Sequence, residues 1–217
     1  MDQLERNSKI LIKYIPENAV PTICNWIIEY DIKLKITRSR KTRLGDYRPP
    51  GAGIVNHQIT VNHDLNKFSF LITLVHEIAH LTTWNKFKNK VLPHGQEWKS
   101  EFKIHMYGFL NSTIFPEDVK NALLKYLVNP AASSCSDHQL LRVLKKYDYR
   151  LADKEFIFLE KIPFKSLFKY HENRLFIKGE KIRTRFKCKE ISTGNIYLFN
   201  PLTEVELFEN NIQDRSE

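Results

Sequence analysis

The chain has 217 residues, 42% of them hydrophobic and 12% aromatic, with a formal charge of +9. That composition supplies ample core for one large domain, or a domain with an appendage, and excludes wholesale disorder. Three cysteines without framework spacing, no charged leader followed by an apolar stretch, and a longest apolar run (68–79) too short to cross a bilayer together predict a soluble protein of the cytoplasm.

In chain order, Ile23, Trp26, Ile27 and Tyr30 predict an amphipathic helix over 20–30, opened by Pro21. Ile32, Leu34 and Ile36 alternate with Lys33 and Lys35, which predicts a strand over 32–37. A basic run from Arg38 to Arg48 follows, then the turn-rich break Pro49-Pro50-Gly51-Ala52-Gly53. A second strand is expected over 57–62, as a candidate edge for pairing with an extended substrate. Next comes a helix from about Asn66 to Trp84, with Asp64 or Asn66 as its N-cap. Further helices are expected from near Gly95 and over 116–127, and residues 129–134 (Asn-Pro-Ala-Ala-Ser-Ser) form the best boundary. Beyond it a short helix (137–146) precedes strands over 155–160, 174–178, 181–189, 195–199 and 204–208. The predicted class is α+β, with a helix-and-sheet domain over 1–130 and a small, mainly β domain over 131–217.

Chemistry concentrates in the helix 66–84, which carries His76-Glu77-Ile78-Ala79-His80. Residues four apart on a helix differ by only about 40° around its axis, so His76 and His80 project together and can bind one Zn²⁺. Glu77 between them is placed to take a proton from a metal-activated water. The pattern arises in roughly one shuffled chain in fifty of this composition, so its context matters. Leu71, Leu74, Val75 and Ile78 form an apolar stripe expected to lie opposite the histidines and Glu77. A catalytic zinc takes three protein ligands. His94, thirteen intervening residues after His80, is the favoured third, and Glu101 is the competitor; Glu97 reads as a first-turn acid of the next helix.

The strings LITLVHEIAHLTTW and VLPHGQEWKSEF resemble the SprT family of metalloproteases, whose hallmark is HExxH followed by His-Gly-x-Glu-aromatic. The resemblance spans about residues 20–110. It implies a minimal zincin fold with one zinc on His76, His80 and His94, Glu77 as general base, and a protein or peptide as substrate. Relatives include the DNA–protein crosslink protease Spartan, which makes nucleic-acid-associated proteins a candidate substrate class.

Many family members add a four-cysteine zinc ribbon. Here Cys24, Cys135 and Cys188 include no Cys-x-x-Cys pair, so the C-terminal domain is expected to be ribbon-like without metal. On the expected strand 181–189, Lys181, Arg183, Arg185, Lys187 and Lys189 line one side over about 27 Å, a candidate track for DNA phosphates. The competing reading is a solvated outer face. The run Arg38–Arg48 offers a weaker version of the same choice. His57, His63, His105 and His171 are expected to be structural or surface residues. Tyr107 and His105 are only guesses for an oxyanion donor. The rival function is nucleic-acid binding with a structural or idle metal site.

Overall fold

The computed structural model describes residues 2–40, 43–51, 53, 55–111, 113–131, 137–148, 157–171 and 173–208. The architecture is mixed α+β with two sheets, and the chain divides into compact units Met1–Tyr149 and Arg150–Glu217.

The first unit opens with α1 (Gln3–Leu11) and α2 (Val20–Glu29), followed by β1 (Ile32–Thr37), β2 (Gly45–Arg48) and β3 (His57–Asn62). Strand β3 is central: β1 pairs with it in parallel and β2 antiparallel, giving the order β1-β3-β2. The expectation that β3 is an edge therefore fails, because both of its sides are paired; β1 and β2 are the edges. The basic run before β2 is largely spent on structure. Arg40 Nε donates to Oδ1 of the buried Asn62 at 2.9 Å, and Asn62 Nδ2 donates to the Arg43 carbonyl at 3.0 Å. Arg43 and Arg48 both pair with Asp46, at 2.6 and 3.0 Å.

Helix α3 (Lys67–Phe87) is the axis of this unit, with α4 (Gln96–Tyr107) and α5 (Glu117–Val128) completing the helical layer. Asn66 starts α3, as one of the two expected caps. Its Oδ1 accepts from the Phe68 and Ser69 amides at 3.1 and 2.9 Å, while its Nδ2 donates to the Leu144 carbonyl and to Asp148. The expected one-sided stripe understates the burial of α3. Phe70 to Val75 are all buried, Thr73 among them, and so are Glu77, Thr82 and Thr83. Helix α6 (His138–Leu144), expected beyond the boundary at 130, places Leu140 and Leu144 in the core of the first unit. The division thus falls near residue 150.

The second unit is an antiparallel six-stranded sheet. Its strands are β4 (Ile157–Phe158), β5 (Leu167–Tyr170), β6 (Arg174–Ile182), β7 (Arg185–Glu190), β8 (Ile196–Phe199) and β9 (Glu204–Leu207), in the order β4-β9-β5-β6-β7-β8. Phe168, Phe176, Cys188, Phe199 and Val205 fill its core. The single strand expected over 181–189 is in fact a hairpin. β6 ends at Ile182, Arg183 adopts φ 51°, and β7 begins at Arg185. Lys181 pairs with Phe186 and so faces away from Arg185, Lys187 and Lys189.

The Asn66 cap closes both the start of α3 and its contact with the segment after α6. Asn66→Ala is expected to lower unfolding stability of the full chain by about 1–2 kcal/mol in urea titrations.

Candidate metal centre

His76 and His80 lie one turn apart on α3, and His94 approaches them from the loop between α3 and α4, next to the N-cap Gly95. The chain reverses through two residues in the left-handed region, Lys88 (φ 53°) at the end of α3 and His94 itself (φ 60°). The three Nε2 atoms converge: His76–His80 is 3.2 Å, His76–His94 3.2 Å and His80–His94 2.9 Å. Two imidazole nitrogens on a tetrahedral zinc, each at about 2.0–2.1 Å, stand roughly 3.3 Å apart. The triangle is therefore close to the size a zinc ion requires. Among the described residues, this is the only cluster of three or more histidine, cysteine or acidic side chains able to hold a metal.

The surroundings keep these imidazoles neutral. Burial pulls His76 down to about 2, with His80 and His94 adding to the effect, and His80 to about 3; burial also lowers His94. Neutral imidazoles present the lone pairs that a metal needs. Trp98, fully buried on the first turn of α4, forms the platform. Its ring lies 4.6, 5.4 and 4.7 Å from those of His76, His80 and His94, and it stacks on Phe102 at 5.2 Å. Periodicity predicts Trp98 as core but gives no hint that it supports all three histidines at once.

Glu101, the competing ligand, is elsewhere: its carboxylate accepts from Lys86 Nζ at 2.6 Å. Glu97 stands in the first turn of α4. His57 bonds the Tyr47 hydroxyl at 2.9 Å and His105 bonds Thr82 at 3.1 Å, both outside the cluster. Tyr107 is largely exposed. Cys24 and Cys188 are free, buried thiols, and Cys135 lies outside the described residues. Of the five cations expected along one strand, only Arg185, Lys187 and Lys189 share a face; Arg183 is in the turn and Lys181 is opposite.

Glu77 is 6% exposed and sits under strand β2. A Cβ on Gly45 would overlap the Glu77 Oε1 atom and stand 2.9 Å from Glu77 Cγ and from Thr73 Cγ2. Only glycine lets β2 lie this close to the carboxylate. No sequence motif marks Gly45, because the close approach is a tertiary contact. Burial pushes the Glu77 carboxyl up to about 8; Asp46 raises it further, while Arg40 and Arg43 oppose the shift. A divalent cation at the adjoining histidines would also favour the carboxylate.

His76, Glu77, His80 and His94 thus form the HExxH-type arrangement of zincin catalytic sites. No known protein family, curated protein or solved structure matches the chain. The geometry carries the assignment by itself.

Gly45→Ala is expected to cost about 1–3 kcal/mol of stability through overpacking against Glu77 and Thr73. Zinc affinity should stay within a few-fold of wild type, since the added methyl meets no histidine; urea titration and competition with a zinc chelator measure the two effects.

Proposed function

We propose that the chain is a zinc-dependent metallopeptidase of SprT-like type, acting on protein or peptide substrates. The observation that carries this reading is the convergence of three histidine Nε2 atoms within 3.2 Å, next to a buried glutamate on the same helix. A helical layer over a three-stranded sheet, with β2 as the edge beside the site, is consistent with a minimal zincin domain.

His76, His80 and His94 would hold the ion. When bound, zinc supplies Lewis acidity that polarises a carbonyl and makes water nucleophilic near neutral pH. Glu77 accepts the proton of the attacking water on its carboxylate and delivers it to the nitrogen of the leaving amine. The absence of a side chain at Gly45 leaves room for that carboxylate beneath β2. Among the described residues, β2 has one side unpaired in its sheet, and an extended peptide can add there with main-chain bonds and little sequence demand. Two buried, unpaired cysteines agree with a reducing compartment such as the cytoplasm. No helix among the described residues is long and apolar enough to cross a membrane.

A subsidiary reading assigns DNA or another polyanion to the C-terminal sheet. It is supported by Arg185, Lys187 and Lys189, which lie exposed on one face of β7. Among the described residues, Phe176, Phe186, Tyr197 and Phe199 lie on the other face of this sheet, away from those cations.

Glu77→Gln should bind one zinc per chain with near wild-type affinity and lose about 10²–10⁴-fold of its hydrolysis rate on an unfolded protein substrate. Metal analysis and a fluorescent-casein assay on the same preparation check both. Wild-type rates in a zinc-loaded Glu77→Gln protein would remove the glutamate from the mechanism.

A further inference from the structure

A cleft of about 320 Å³ opens beside His80 and runs toward the C-terminal end of α3. Tyr47 of edge strand β2, Thr83 and Trp84 of α3, and Lys88 and Leu92 of the following loop line it, with Trp98 at the metal end. Its volume is at the lower end of the range for ligand pockets, about 300–1,000 Å³, which suits a single large side chain better than a whole small molecule.

The wall is pre-arranged. Tyr47 stacks on His57 with ring centroids 5.9 Å apart and an interplanar angle of 21°, and its hydroxyl bonds His57 Nδ1 at 2.9 Å. His57 in turn meets Trp84 edge-on at 5.4 Å. The polar atom of Tyr47 is thereby engaged with a neighbour, and the aromatic surface is what remains to meet a ligand. Lys88 Nζ stands 3.7 Å from the centroid of the Trp84 ring, which puts a positive charge on the same wall. Among the described residues, no carboxylate lines the cleft. A cationic side chain entering it would give up hydration, find no counter-charge and meet Lys88.

We infer that the cleft beside His80 is the subsite that receives the substrate side chain next to the scissile bond, and that it selects a bulky uncharged apolar residue over small or cationic ones. This rests on the metallopeptidase reading and adds a side-chain preference to it. An extended peptide paired to β2 passes Tyr47, the strand residue whose side chain lines the cleft, so main-chain pairing and side-chain selection are served by one strand. Leu92 and Trp84 come from the end of α3 and the loop that also delivers His94, so the pocket wall and the third histidine are positioned together.

The test uses blocked hexapeptides identical except for one residue, Phe, Leu, Ala or Lys, with the zinc-loaded full chain. Hydrolysis is followed with wild type, and binding by calorimetry with zinc-loaded Glu77→Gln. The expected result is kcat/KM for the Phe and Leu peptides about 10–100-fold above that for Ala, with Lys rejected at least as strongly, and the same order in binding. Leu92, 78% exposed, makes no demand on the core. Leu92→Asp, which adds the missing carboxylate, should raise hydrolysis of the Lys peptide about 10-fold and reduce the preference for Phe. Equal hydrolysis and equal binding of all four peptides, or a Leu92→Asp profile identical to wild type, would overturn the subsite. Apolar preference in binding with no hydrolysis by wild type would keep the subsite and remove the peptidase reading. Hydrolysis abolished in Glu77→Gln but indifferent to the varied residue would do the reverse.

Discussion

Three imidazole nitrogens held within 3.2 Å of one another, largely out of water, set the terms for the rest of this molecule. Burial lowers the proton affinity of each ring, so lone pairs converge on a small volume. Such an arrangement persists only if the scaffold holds it, or if a cation shares the lone pairs. The scaffold does so with one rigid helix for two of the rings, a short loop between two helices for the third, and the fully buried Trp98 in contact with all of them. A divalent cation bound there would take these three nitrogens as its ligands.

The placement of α3 follows from the same need. A helix that presents a metal site at its middle must be covered before and after it, and α3 is buried along most of its length between the small sheet and α4. Glu77 faces the strand side of that enclosure. Its carboxylate fits there because residue 45 has no side chain, and Arg40 and Arg43, anchored around Asn62 and Asp46, moderate the cost of burying it. The loop that sequence reading takes as a basic surface run is thereby part of the housing of the glutamate.

Local pattern made some of this legible and tertiary contact hid the rest. Strands β1 and β3 follow the sequence residue for residue, because Ile32, Leu34 and Ile36 alternate with lysines and because His57–Asn62 is bounded by turns. The starts of α3 and α4 follow from Asn66 and Gly95. His76, Glu77 and His80 are legible as a motif; His94 joins the two histidines in one cluster, while Glu101 is paired with Lys86. Strand β2 carries no such signal: Gly-Asp-Tyr-Arg has four residues and no apolar alternation, and it is a strand because β3 and α3 flank it. The hairpin inside 181–189 is equally unmarked, because Arg183 and Thr184 make the turn without glycine or asparagine, with Arg183 itself adopting positive φ. That one turn divides a supposed row of five cations between two faces. Helix α6 follows the composition break near Pro130, yet its Leu140 and Leu144 belong to the first core.

The central claim is that His76, His80 and His94 together hold one zinc ion. Zinc K-edge X-ray absorption on the zinc-loaded full chain addresses it directly. The expected spectrum shows one zinc per chain with three imidazole nitrogens and a light-atom fourth ligand at about 2.0–2.1 Å. Sulfur at about 2.3 Å, fewer than three imidazoles, or failure to bind zinc stoichiometrically would contradict it.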